Sequence, residues 1–172
     1  MKKLIILFVS FFTAKAYCQN EFAATAFYDD FKKIYTDAQF GFRAYKGDKR
    51  KSEFEELATE YKVELLLPLA DSGKIIIPVT GNPYVVYYFE PDKVRLKVDQ
   101  RAVNLREAVL TAFAEPLYAI TENSIINNHP FSNTLYFTDA NETRSEFAVF
   151  RMNIYYVTGK YYLSFEIKGK TQ

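Results

Sequence analysis

The chain has no tryptophan and, in 172 residues, one cysteine (Cys18) and one histidine (His129). With a single thiol no intrachain disulfide can form, so the fold must rest on its hydrophobic core. A lone histidine in Asn127-Asn128-His129-Pro130 signals neither a two-histidine metal site nor a histidine relay, and it reads as a solvated loop residue. Glycine is scarce, at six residues, and Gly-x-Gly-x-x-Gly, Gly-x-x-x-x-Gly-Lys and Gly-x-Ser-x-Gly are all missing. No phosphate cradle or nucleophile elbow is signalled, and no cofactor is expected. Neither sign of charge dominates: 22 Lys and Arg stand against 21 Asp and Glu, without the basic excess that a phosphate backbone rewards. Nucleic acid is therefore not an expected partner.

What the chain does have is apolar and aromatic. Hydrophobic residues make up 49%, with 14 tyrosines and 16 phenylalanines. That length predicts one compact domain, burying about two-thirds of the surface the unfolded polymer exposes. Met1 to Ala16 reads as a secretory signal peptide: Lys2 and Lys3, an apolar run from Leu4 to Phe12, then Ala14-Lys15-Ala16 as a small-x-small cleavage pattern. The apolar run makes about 13 Å of helix, too short for a bilayer core of roughly 30 Å. The leader holds three of the 22 basic residues and no acid, so the mature chain, 17–172, carries 19 basic against 21 acidic side chains. It has no further window long enough to span a membrane. The expected location is the bacterial periplasm or the cell exterior. Tethering through an acylated Cys18 is the lesser alternative, because bulky Tyr17 stands where lipoprotein signals carry a small residue.

Along the mature chain, Phe27, Phe31, Ile34, Tyr35, Ala38 and Phe42 step by three and four, which predicts an amphipathic helix ending near Tyr45 and closed by Gly47. Ser52-Glu53-Phe54-Glu55 has capping-box spacing and predicts a short helical turn to about Thr59. Strands are expected at 61–69, 74–79, 84–89 and 93–98, separated by Asp71-Ser72-Gly73, Gly81-Asn82-Pro83 and Pro91-Asp92. The last, with Val94, Leu96 and Val98 alternating with Lys93, Arg95 and Lys97, looks like an edge strand. A second helix is expected from Asn104 to Ala114, with Asn104 and Glu107 at capping spacing, and Pro116 bends or ends it. A polar connection follows from Thr121 to Pro130. Strands at 134–139, 145–157 and 161–168 complete the chain, the last two joined at Thr158-Gly159-Lys160.

The expected fold is therefore α+β, two helices packed on antiparallel sheet. The halves, about 21–98 and 99–172, read as a tandem repeat of one helix and three or four strands: Phe31, Tyr35, Ala38 and Phe42 align with Leu105, Val109, Ala112 and Pro116, and Val79-Thr80-Gly81 aligns with Val157-Thr158-Gly159. In this order of elements the chain resembles small exported helix-plus-sheet proteins, the PepSY-type domains and the tandem beta-lactamase inhibitor proteins. Phe42-Arg43-Ala44-Tyr45-Lys46-Gly47 and Leu67-Pro68 are also similar to envelope proteins of gliding-type bacteria. The first resemblance implies a bias towards binding and inhibiting proteins; resting on element order, it transfers no residue role.

Three functional classes follow. The first is a non-catalytic exported protein-binding module, an inhibitor or immunity factor or an accessory subunit of an envelope complex. Strand tyrosines fall on both faces of a sheet, so some must lie outside the helix-covered core, and tyrosine is enriched at interface hot spots. Tyr87, Tyr155 and Tyr162 are the expected anchors, with Lys49 and Arg50 as rim charges that steer encounter. The competing reading of these rings is packing within the sheet. The second class is a carrier of a hydrophobic small ligand or lipid, held between helix and sheet. The third is a small hydrolase drawing its carboxylates from Asp29, Asp30, Asp99 and Asp139.

Overall fold

The computed structural model describes residues 20–52 and 55–171. The expected leader, Tyr17 and Cys18 lie outside the described residues, as do Glu53 and Phe54 of the expected Ser52–Thr59 turn. Residues 55–57 form a non-helical turn and a strand begins at Ala58, so the helical turn does not continue to Thr59. The elements are α1 (Thr25–Ala38), β1 (Lys46–Arg50), β2 (Ala58–Val63), β3 (Ala70–Pro78), β4 (Tyr84–Asp92), α2 (Arg95–Ala112), β5 (Tyr118–Ile126), β6 (His129–Phe137), β7 (Phe150–Val157) and β8 (Lys160–Lys168). A short 3-10 turn, Ser145–Phe147, interrupts the loop between β6 and β7. No helix among the described residues is long and apolar enough to cross a membrane.

α1 forms because Phe27, Phe31, Ile34 and Ala38 recur by four, three and four residues and are all buried. It ends at Ala38, seven residues before the expected stop. Gly41 and Phe42, at φ 70° and 61°, turn the chain back, and the buried Asp37 carboxylate accepts hydrogen bonds from the N–H groups of Ala44 and Tyr45 at 3.0–3.1 Å. Gly47, expected to close the helix, lies within β1 instead.

The second helix starts nine residues earlier than expected and takes in residues 95–98 of the predicted 93–98 edge strand. Val98, Ala102, Leu105, Val109 and Ala112 form one buried stripe with steps of four, three, four and three. That stripe outweighs three residues of alternation at Val94, Leu96 and Val98. The Asp92 carboxylate accepts from the Val94 N–H at 2.8 Å, and Arg95 bonds Asp99 at 2.6 Å one turn on. Asn104, expected as a cap, lies buried in mid-helix, where its carbonyl accepts from Asn20 and its side chain from Gln100.

All strands join in one eight-stranded antiparallel sheet of order β1-β2-β3-β4-β8-β7-β6-β5. Four strands follow each helix in the chain, and β4 pairs with β8 at the centre of the sheet. The expected polar connection 121–130 is a hairpin, β5 turning into β6 through Asn127 and Asn128 at φ 51° and 64°. Both central residues at positive φ match the right-handed twist of the flanking strands. An edge strand wetted on both faces carries loop-like polarity, which hides it from pattern reading. Asp71-Ser72-Gly73, expected as a turn, lies inside β3 beside an irregularity in register. A Cβ on Gly73 would fall 2.7 Å from Val63 and 2.9 Å from the Tyr87 ring, so close strand-to-ring approach demands the glycine.

Both helices pack against the same face of the sheet, because one residue of every two on the central strands joins their core: Val85, Tyr87 and Phe89; Leu163, Phe165 and Ile167; Phe150, Met152 and Ile154. Phe rings fill this layer. Phe31 lies 5.6 Å from Phe150 and 6.4 Å from Phe165, and Phe22 meets Phe27 and Phe89 edge-on.

Candidate functional site

Among the described residues no helix covers the opposite face. The alternate residues of the central strands line it: Tyr84, Val86 and Tyr88 on β4, Tyr162, Ser164, Glu166 and Lys168 on β8, and Arg151, Asn153 and Tyr155 on β7, with Val86 and Ser164 buried among their neighbours. Tyr155 sits directly across from Tyr162, with ring centroids 5.6 Å apart and planes 12° from parallel. Burial pushes the Tyr155 phenol up to about 12, and the phenols of Tyr88 and Tyr162 add to this. The Tyr155 hydroxyl therefore stays a protonated donor over the physiological range. Tyr84 and Tyr88, also half-buried, are raised first by burial and then by the Glu166 charge.

Beside the tyrosines lies a polar strip. Glu166 accepts from Asn153 at 3.2 Å and lies 3.5 Å from Arg151. Burial pushes its carboxyl above the usual glutamate range, partly offset by Arg151 and Asn153. Burial, then the Arg151 charge, holds Lys168 below the usual lysine value, while its ammonium donates to the Glu146 carbonyl. The Asn133 side-chain Oδ1 and the Arg151 Nε are buried without a hydrogen-bond partner among the described residues. Two cavities flank Arg151. One of about 310 Å³ is bounded by Asn82, Tyr84, Glu166 and Lys168; the other, of about 440 Å³, by Glu122, Phe131, Asn133 and Asn153.

The 138–149 loop roofs one corner of this face. Ala148 packs on Leu135 and Phe137, with Ile120 against them, as a small second apolar cluster. Arg144 stabilises the loop from within. It bonds both oxygens of Glu142 at 3.1 Å and lies over the Phe147 ring, and, with two backbone N–H groups, it depresses the Glu142 carboxyl to about 2.

The residues expected to form a partner surface are not all on this face. Tyr155 and Tyr162 are, as a stacked pair. Tyr87 is fully buried on the helix side, its hydroxyl donating to the Leu65 carbonyl at 3.0 Å, so its place as a surface anchor is corrected to a core residue. Strand parity decides this, since Tyr88, its neighbour, points the other way. Lys49 and Arg50 sit on edge strand β1, five strand positions from β7, or about 24 Å at ordinary strand spacing. They form no single patch with the tyrosine pair. Tyr84 and Tyr88 belong to the strand tyrosines expected to divide between the two faces, though not to the expected anchors, whereas Arg151, Asn153 and Glu166 carry no sequence expectation. An alternation read through β7 and β8 pairs Arg151 with Glu166 and puts both beside Tyr155 and Tyr162, but only strand register reveals it.

His129 is also corrected. It opens β6 and its ring stacks on Tyr156 at 3.5 Å between centroids; Tyr156 meets Tyr161, over which Arg95 lies. The expected carboxylates are scattered. Asp29 and Asp30 lie on α1, Asp99 on α2 and Asp139 in the roofing loop, with Asp30 paired to Lys33 and Asp99 to Arg95. Among the described residues no group of three or more His, Cys, Asp or Glu converges on a metal position. Comparisons of the chain with protein-family models, with curated proteins and with solved structures found no match.

Proposed function

We propose that this chain is a non-catalytic exported protein-binding module, an inhibitor or immunity factor or an accessory subunit of an envelope complex. Its recognition surface is the open sheet face, with Tyr155 and Tyr162 as anchors and Lys49 and Arg50 as distant charges that steer encounter. One observation carries the reading: both helices cover one face and leave the other with four half-buried tyrosines around a polar strip. Stacked tyrosines lose little side-chain entropy on binding and present both an apolar face and a donor, the features of interface hot spots. The phenyl-filled helix–sheet layer is the reason for preferring this to a hydrophobic carrier. The leader-like N-terminal sequence supports export to the periplasm or cell exterior. We infer also that the two halves derive from one helix-plus-four-strand unit, since Val79-Thr80-Gly81 and Val157-Thr158-Gly159 occupy the corresponding hairpins, β3–β4 and β7–β8.

The test is affinity capture from envelope extract of the native host, comparing wild type with Tyr155→Ser and Tyr162→Ser. A single stoichiometric protein, retained by wild type and reduced at least about 10-fold by either substitution, supports the reading. Capture indifferent to both substitutions removes this face, and retention of only a lipid or small molecule brings the carrier forward.

A further inference from the structure

The two edges of the sheet are built differently. β1 is short, and four of its five residues are charged, Lys46, Asp48, Lys49 and Arg50. Natural sheets use such charge to keep an edge from pairing. β5 at the other edge runs nine residues, Tyr-Ala-Ile-Thr-Glu-Asn-Ser-Ile-Ile, with Glu122 its only charge. It has no proline and no lysine, and its register with β6 is unbroken. Eight of its nine residues are exposed, Ile125 at 77% and Ile126 at 51%. No backbone hydrogen bond joins its outer side to another element among the described residues.

The hairpin fixes which backbone groups are free. Ile126 and His129 close a two-residue loop, so this pair exchanges both of its hydrogen bonds. The pattern alternates along an antiparallel pair, so Tyr118, Ile120, Glu122, Ser124 and Ile126 bond to β6. Ala119, Thr121, Asn123 and Ile125 then aim their N–H and C=O groups away from the sheet. We propose that β5 is an acceptor edge to which a partner protein adds an extended strand, one with alternating β-branched residues and a Lys or Arg opposite Glu122. Extended backbone is what an open row of alternating donors and acceptors recognises, and side chains supply specificity. The single negative charge sets the partner's sign. It also weighs against a second copy, because full antiparallel overlap of two β5 strands would place Glu122 against Glu122. This contact lies beside the tyrosine face and rests on the proposed function only in taking the partner to be a protein.

The probe is the heptapeptide acetyl-Thr-Val-Thr-Lys-Thr-Val-Thr-amide added to the full chain, read by amide hydrogen exchange and sedimentation. Expected is a slowing of about 10-fold or more at Ala119, Thr121, Asn123 and Ile125, with the inner amides unchanged. Ile125→Pro removes one outward donor but no β5–β6 bond, so it should keep the melting temperature and lose the peptide. Glu122→Lys should weaken this peptide and favour its Lys-to-Glu counterpart. No protection with either peptide, or equal binding by Ile125→Pro, overturns the proposal. So does a dimer of the chain alone that Ile125→Pro dissolves, which would assign the edge to a second copy. The two readings fail separately: envelope capture lost in Tyr155→Ser but kept in Ile125→Pro supports the open face alone, while peptide protection kept in Tyr155→Ser and lost in Ile125→Pro supports the edge alone.

Discussion

The two faces of the sheet share every strand and differ in everything else. On β4, Val85, Tyr87 and Phe89 enter a layer filled by Phe22, Phe27, Phe31 and Phe42, while Tyr84, Val86 and Tyr88 face the other side, where the two tyrosines are half-buried. Tyr87 and Tyr88 are the same residue type one position apart. One is fully buried with its hydroxyl on a backbone carbonyl, and the other lies beside Tyr155 and the Glu166 charge. What assigns a tyrosine to core or to recognition is therefore strand parity together with the face the helices choose.

The sharpest way to break that contrast is to remove a ring from each side. Phe165→Ala opens a cavity among Phe31, Phe150 and the sheet and should cost about 3–5 kcal/mol in urea unfolding. Tyr162→Ala, on the same strand but opposite face, should cost no more than about 1 kcal/mol. Near-equal losses would mean that the open face is a second structural core. Next in size is Tyr87→Phe, which keeps the ring and strands the buried Leu65 carbonyl. A loss of about 1–3 kcal/mol with partner capture unchanged is expected.

The smallest effect is on pH dependence. Glu166 has its folded pKa raised by burial above the ordinary 4.5, so the native state holds this proton more tightly than the unfolded chain. Its contribution is fully present below the unfolded value and is lost as pH rises through the raised folded value. Unfolding midpoints of wild type and Glu166→Gln, measured from about pH 4 to about pH 7, should diverge in that window, wild type alone falling as pH rises. Parallel profiles would mean that Arg151 and Asn153 offset the burial completely.

Legibility in the sequence followed the range of the interactions. α1 was legible because Phe27, Phe31 and Ile34 repeat at helical spacing, yet its end was not. The stop depends on the Asp37 carboxylate reaching the N–H groups of residues seven and eight positions on, a contact with no periodicity. The start of α2 is hidden in the sequence because three alternating residues, Val94, Leu96 and Val98, resemble a strand until the stripe to Ala112 is followed. β5 looked like a loop because an edge strand with both faces wet carries polar residues throughout. Of the candidate site, the pair Tyr155 and Tyr162 was visible as residue type around a hairpin turn. Their polar neighbours Arg151 and Glu166 were not, since 15 residues separate them and only the β7–β8 register pairs them.

By itself, then, the sequence determined an α+β chain: two helices with apolar stripes and turn-separated aromatic strands that pair antiparallel. Those features are local, set by periodicity and by residues that tolerate positive φ. The tertiary structure decided that β4 pairs with β8 and that both helices share one face. It also decided which tyrosines are buried and which edge is left open. These follow from burial and strand pairing between residues far apart in the chain, where a shift of one position in a strand exchanges core for solvent.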